Sequence, residues 1–397
     1  MKIVVLTELK KSEQPNEGKK VPAYSRTNPF YAKVIKNINL NGAGSSKETR
    51  HLELSLEGSG LTYEPGDALG IIPENDPELV AAIIEEMNWD PNEAVTINKQ
   101  GETIPLKEAL TKQFEITALS RKLLQQAAEL TDNEELKRLV AEENAEELKE
   151  YIYGRDLLDM LKDFGPWKAS SQDIIGLLRK LMPRLYSIAS SISAHPEEVH
   201  LTIGAVRYTA HGRERKGVCS VYVAERIKEG DTIPVFVQPN KHFSLPESKE
   251  VDIIMVGPGT GIAPFRSFIE ERSVNGTTGK TWLFFGDQHE ATDFLYKDEL
   301  EAYQQKGVVT KITTAFSRDT EKKVYVQHRM LENSKELFEW LEKGAYFYVC
   351  GDKQYMAKDV HEALITIIEQ EGSMTREQAE AYLNDMAKQK RYQRDVY

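Results

Sequence analysis

Arg184, Leu185, Tyr186 and Ser187 set a cation, an aromatic ring and a hydroxyl within four consecutive residues, just ahead of strand-like sequence. Side chains alternate faces in an extended segment, so Arg184 and Tyr186 would share one face and Ser187 the other. A phosphate-bearing aromatic cofactor can use all three: a guanidinium for pyrophosphate, a ring against a flat heterocycle, a hydroxyl for a ring nitrogen. An ordinary strand with a surface arginine fits the same four residues. Downstream, Gly257, Gly259 and Gly261 lie between the apolar VDIIMV and the helix-like APFRSF. Glycines there permit positive φ and close backbone approach, and the helix start offers free N–H groups to an anion. Gly259 and Thr260 are candidate contacts for a phosphate or for the nicotinamide side of a cofactor. The spacing is not the usual dinucleotide fingerprint, and many such turns only connect a strand to a helix.

Ser317 and Arg318 end the strand-like AFSR, and Lys323, Val324, Tyr325, Val326 and Gln327 follow. A cation at that strand end favours the 2′-phosphate of NADP, where a carboxylate would favour NAD. Asp319 weakens the argument, since it could pair with Arg318, and a solvated charged loop would look the same. Gly217, Val218, Cys219 and Ser220 precede the helix-like VYVAERI, either as a second anion site or as an ordinary N-cap. Cys350 ends the strand-like AYFYVC, where a cysteine is a small buried hydrophobe or faces a ligand crevice. The closing run QKRYQRDVY keeps an aromatic residue at its end, which by itself says little.

The elements that must position these residues fall into three textures. Residues 1–27 read as a polar tail or linker. YAKVIKNINL and HLELSLEG read as strands, the latter with Leu52, Leu54 and Leu56 alternating with polar neighbours. Asp76 and Pro77 read as N-cap and first residue of a helix, and the sequence stays helix-like to about residue 180, including RKLLQQAAEL and EELKRLVAEENAEELKEYI. Strand pattern resumes at Arg184. A β-barrel over 28–75 and 181–247, interrupted by a helical insertion over 76–180, explains that order. From 248 to 397, apolar runs alternate with helices, the pattern of a doubly wound parallel sheet whose site lies at the carboxyl ends of its strands. The expected fold is thus multidomain, α+β and α/β: an antiparallel barrel with a helical insertion, then a parallel-sheet nucleotide domain.

Across 397 residues the composition is ordinary for a globular chain, 40% hydrophobic and 29% charged. A formal net charge of -12 argues against nucleic acid and against an anionic membrane surface. Two cysteines suit a reducing cytoplasm, and no stretch approaches the roughly 18 apolar residues of a membrane span. No metal is expected.

Together, RLYSIASS, GVCS, GPGTGIAPFRSF, SRDTEKKVYVQ, YVCGD and RYQRDVY resemble the ferredoxin-NADP-reductase-like half of the diflavin reductases, in that family's order and spacing. Within that family the likeness is to members serving NADPH-dependent assimilatory sulfite reduction, and it covers nearly the whole chain from about residue 28. The resemblance implies a barrel that binds FAD and a parallel-sheet domain that binds NADPH. It implies FAD contacts at Arg184, Leu185, Tyr186 and Ser187, at Thr202, Ile203, Gly204 and Tyr208, at Gly217 to Ser220, and at Thr117 by a weaker local alignment. It places Ser317, Arg318, Lys323 to Gln327 and Asp359 on NADPH. It sets Ser187, Cys350 and Asp395 around the hydride path, and Tyr397 where a terminal aromatic stacks on the flavin. About 27 residues precede the barrel, too few for the family's FMN domain, so FMN is not expected in this chain. The implied partner is a protein electron acceptor, either a flavodoxin-like FMN protein or a sulfite reductase haemoprotein. A free-standing NADPH-flavodoxin or ferredoxin reductase and a non-catalytic docking flavoprotein remain as alternatives, and the chain is either a natural reductase or a piece of a longer protein.

Overall fold

The computed structural model describes residues 24–397; residues 1–23, and with them most of the expected tail, lie outside the described residues. The first strands are β1 (Phe30–Asn39), β2 (Thr49–Ser55) and β3 (Ala68–Ile71). A helical insertion follows. It opens on the helix Pro77–Glu86, whose N-cap Asp76 accepts from the Glu78 N–H at 3.0 Å, with Pro77 where no N–H is needed. It includes a small hairpin, β4 (Ala94–Thr96) with β5 (Thr103–Pro105), and ends with the helix Ser171–Leu177. Its apolar side chains, from Val80 and Ile83 to Ile174 and Ile175, close a core of their own.

EELKRLVAEENAEELKEYI is not one helix. It splits into Glu134–Leu139 and Ala145–Ile152, because the Asn144 amide donates to the Arg138 carbonyl at 2.6 Å and ends the first piece.

The chain then returns through β6 (Arg184–Ser187), β7 (Glu198–Gly204), the hairpin β8 (Arg207–Ala210) with β9 (Arg213–Lys216), and β10 (Thr232–Gln238). The antiparallel sheet runs β6-β3-β10-β1-β2-β7. An Ile188–Leu201 bridge brings its two ends together, closing a barrel. Leu52, Leu54, Val199, Leu201 and Ile203 fill its interior. The alternate residues His51, Glu53, His200 and Thr202 therefore point outward, toward the second domain. VYVAERI forms only a single π-type turn, Tyr222–Arg226, and the Ser220 hydroxyl caps nothing there: it accepts from the Val206 N–H at 3.2 Å.

The second sheet is parallel, in the order β13 (Lys311–Phe316), β12 (Thr281–Asp287), β11 (Ile253–Val256), β14 (Tyr346–Gly351), β15 (Tyr392–Val396). Helices Ala263–Val274, Val326–Glu332 and Met356–Glu371 are among those that connect and cover it. The closing run, which the sequence leaves without assignment, is the edge strand β15, in register with β14 so that Cys350 pairs with Asp395. Phe243 packs with Phe265, Phe268 and Tyr348 under this sheet, so the loop after β10 already belongs to its core.

At the carboxyl ends of β11 and β14 the backbones nearly touch. A Cβ on Gly261 would stand 2.2 Å from the Cys350 carbonyl oxygen. Gly261→Ala is expected to cost about 2–3 kcal/mol through forced backbone shifts, read as a lower Tm with the FAD-free protein.

Candidate functional site

A cavity of about 1310 Å³ opens between the barrel and the carboxyl ends of the parallel strands. Its barrel wall carries Arg184, Leu185, Tyr186, Ser187, Thr202, Gly204 and Gly217 to Ser220. Its other wall carries Gly259, Thr260, Ser317, Tyr325, Val326, Gln327, Asp359, Asp395 and Tyr397. Arg184 to Ser187 all reach it because β6 is a short strand at the cavity mouth, paired with β3 through Ala68–Ser187 to Ile71–Arg184. Other predicted residues sit elsewhere. Ile203 fills the barrel core, so its contact with a ligand would have to be through the backbone. Tyr208 stands exposed on the β8–β9 hairpin, and Val324 packs partly buried against the parallel-sheet core. Arg318 and Lys323 are exposed on the loop after β13. Thr117 lies behind Glu115, and Cys350 is completely buried behind the wall.

Three strands from two domains converge at one end of the cavity. The Ser187 hydroxyl on β6 donates to Asp395 Oδ2 on β15 at 2.6 Å, and Cys350 Sγ on β14 lies 4.0 Å from the same oxygen. Burial pushes the Asp395 carboxyl above its ordinary range, against the pull of the Ser187 hydrogen bond. Burial, then the Asp395 charge, holds the Cys350 thiol well above its own, so it stays protonated at neutral pH. Beside them the Tyr397 hydroxyl meets Thr260 Oγ1 at 2.9 Å. The Tyr397 backbone is tied on both sides, its N–H to the Gly351 carbonyl at 3.2 Å and its carbonyl to the Lys353 N–H at 3.0 Å.

Along the rest of the cavity the donors change character. Arg184 offers a guanidinium, half-exposed, and the turn at Gly217 brings its Cα so near Ser220 that a Cβ would stand 2.5 Å from Oγ. Burial and the neighbouring Cys219 thiol raise the Tyr186 hydroxyl well above its ordinary range, leaving a neutral ring at the wall. A cation, a neutral aromatic face, a hydroxyl and a glycine cradle in sequence fit a flavin dinucleotide: each has a partner in diphosphate, heterocycle and ring edge.

At the opposite end, Asp319 does not pair with Arg318. Its carboxylate takes His289 Nδ1 and the Glu290 N–H, each at 2.8 Å. Among the described residues neither Arg318 nor Lys323 has an ion-pair partner, so both cations are available. Gln327 Nε2 donates to Asp359 Oδ2 at 3.1 Å, joining two of the predicted contacts.

Residues that sequence reasoning missed hold the two walls together. Lys47 reaches Asp287 at 2.5 Å on the cavity rim. Tyr296, in a left-handed conformation at φ 58°, binds both His51 Nδ1 at 2.9 Å and Thr202 Oγ1 at 2.7 Å. Arg266 donates to the Ala189 carbonyl at 2.6 Å and pairs with Glu270 at 2.8 Å. These partners are far apart in sequence, and no local pattern marks them. His51, Glu53 and His200 come within metal-ligating reach of one another, yet Lys36 already holds Glu53 at 2.8 Å and the Arg266 guanidinium meets His200 at 3.3 Å. Cations thus stand where a metal ion would compete for the same groups. No helix among the described residues is long and apolar enough to cross a membrane.

Known proteins share this arrangement of sequence. Residues 22–222 match the FAD binding domain family, and residues 255–362 match the oxidoreductase NAD-binding domain family. The sulfite reductase [NADPH] flavoprotein alpha-component of Bacillus subtilis is 65% identical over 375 residues, 94% of this chain and 62% of the relative. The proteins of the same name from Aliivibrio fischeri and Vibrio cholerae are 47% and 48% identical over 94% of this chain, covering 61% and 60% of their own lengths. The chain therefore spans about three-fifths of the length of these curated relatives.

Proposed function

The chain belongs to the FAD binding domain family, and from that premise we propose that it oxidises NADPH through bound FAD and hands electrons to a protein acceptor in sulfite reduction. The observation that carries this reading is the 2.6 Å Ser187–Asp395 hydrogen bond, which joins the barrel's cofactor strand to the last strand of the nucleotide sheet. Bound together, the two cofactors supply hydride transfer and electron storage, chemistry no side chain here can perform. The chain's own residues bind, orient and tune. Ser187 keeps its hydroxyl at the cavity wall, aligned by Asp395. The Asp395 carboxylate, half-buried in that wall, stabilises positive charge arising next to it more strongly than it could in water. Cys350 is neutral and enclosed, so its part is packing and not nucleophilic attack. Arg318 and Lys323 attract the 2′-phosphate that distinguishes NADPH from NADH.

Anaerobic stopped-flow mixing of the FAD-loaded protein with NADPH tests the reading: the flavin absorbance should bleach within a turnover, and a spectrum that never changes would reduce the chain to a docking subunit. The convergence of Ser187, Asp395 and Cys350 at one end of the cavity speaks against that second role, since docking alone has no use for it. The names of the relatives support an acceptor in sulfite reduction, and our reading makes it a sulfite reductase haemoprotein, reached directly or through a flavodoxin-like FMN protein. Offering both acceptors side by side separates this from a general flavodoxin reductase.

Ser187→Ala and Asp395→Asn should each slow flavin reduction by roughly 100-fold, the usual cost of removing one electrostatic contact from a reacting site. Protonation of Asp395 removes its charge, and burial raises its pKa. The rate should therefore fall with decreasing pH already above the range of an ordinary carboxylate, about 3.9. Asp395→Asn should abolish that acid limb. A wild-type profile with its limb at the ordinary value would contradict the role given to Asp395.

A further inference from the structure

We propose that Glu115 is the positioning residue for Arg184, holding the guanidinium toward the diphosphate of the bound flavin dinucleotide, and that Thr117 acts through Glu115 and not on the cofactor itself. The inference rests on the FAD reading above and goes on to name what aims the phosphate-binding cation.

Arg184 Nη2 donates to Glu115 Oε2 at 3.2 Å and Nη1 donates to the Met182 carbonyl at 2.7 Å. Those two bonds fix the plane of the guanidinium. An arginine has five N–H donors, so others remain for oxygens in the cavity that Arg184 lines. The two side chains sit at different depths: Glu115 is 3% exposed and Arg184 36%. The carboxylate is thus the anchored partner and the guanidinium the outward one.

Glu115 is itself fixed from three sides. Its Oε1 accepts from the Thr117 N–H at 2.9 Å and from the Thr117 hydroxyl at 2.5 Å. Its backbone N–H donates to the Arg179 carbonyl at 3.0 Å, and Leu181 N–H donates to the Gln113 carbonyl at 2.8 Å, stitching this segment to the stretch that leads into β6. Both Thr117 donors therefore face the carboxylate, and Thr117 is absent from the cavity wall. A long side chain held in one geometry before binding loses less freedom when a phosphate arrives.

The test is a double-mutant cycle on the full chain, read by FAD affinity of the apoprotein and by its Tm without FAD. Glu115→Gln keeps the shape and removes the charge; it should weaken FAD about 10-fold. In an Arg184→Ala background the same change should do nothing further to FAD affinity, because the group it aims is gone. Without FAD, Arg184→Ala leaves a buried carboxylate without its cation, so its Tm should fall, and adding Glu115→Gln should restore part of the loss. Tighter FAD binding by Glu115→Gln, or an equal loss in both backgrounds, would overturn the proposal. So would an Arg184→Ala Tm that Glu115→Gln lowers further. A wild-type chain that binds no FAD would bring down the functional reading instead, and the Tm cycle would still decide whether the pair is coupled.

Discussion

Tyr397→Ala is expected to raise kcat/KM for NADH by about 2- to 5-fold while changing the NADPH value less. The ring lines the cavity two residues beyond Asp395, its hydroxyl on Thr260 and its backbone fastened to Gly351 and Lys353. On the proposed reading, a nicotinamide must enter beside Asp395, and the tyrosine ring must leave first. Only the ring can move, because the backbone beneath it is pinned. Fully burying such a side chain is worth about 1.5–3 kcal/mol; Tyr397 is 62% exposed, so displacing its ring costs only about 0.5–1 kcal/mol, and each 1.4 kcal/mol is tenfold in affinity. NADPH can offset that cost with its 2′-phosphate contacts; NADH has none to offer. Removing the ring removes the cost for both, but only NADH was limited by it. Steady-state kinetics with both nucleotides decide the matter, and a variant with the wild-type preference for NADPH would end the gating argument.

The parts of this structure that could be read from sequence are those whose cause is local. Leu52, Leu54 and Leu56 alternate because one face of a strand is buried, and all three lie in the barrel interior. Asp76-Pro77 announces a helix start because a cap needs an acceptor and then a residue that wants no donor. The apolar runs from residue 253 onward mark strands covered on both faces. What could not be read depends on partners far away in the chain. QRDV looks like a polar tail, and it is a strand only because β14 offers it an edge. Glu115 and Thr117 carry no motif, and their meaning appears when Arg184, about seventy residues later, folds back onto them. Asp319 was ambiguous beside Arg318 until His289 claimed it. Ser220 sits where an N-cap belongs, yet a competing backbone donor from Val206 takes its hydroxyl.

That capture of Asp319 sets the size of the second effect. The paired change Arg318→Ala, Lys323→Ala should raise the KM for NADPH by roughly 100-fold or more and leave the KM for NADH within about twofold. Had Asp319 paired with Arg318, a phosphate would first have to break an ion pair, and the net gain would be small. Instead both cations are exposed and, among the described residues, without ion-pair partners, and a charge-assisted hydrogen bond from each contributes about 1.5–3 kcal/mol. The sum corresponds to a factor of 10² to 10⁴, the lower end fitting a solvent-screened loop. Raising the salt concentration should weaken NADPH binding more in the wild type than in the double variant, because the variant lacks two of the attracting charges that salt screens. The chain's net charge of -12 works in the same direction: a dinucleotide phosphate approaches an acidic molecule, so the exposed cations of this loop decide where it can land. His289→Ala releases Asp319 to compete for Arg318 and should raise the NADPH KM by a smaller factor, with NADH again unaffected. Equal losses for both nucleotides in the double variant would move the 2′-phosphate site away from this loop.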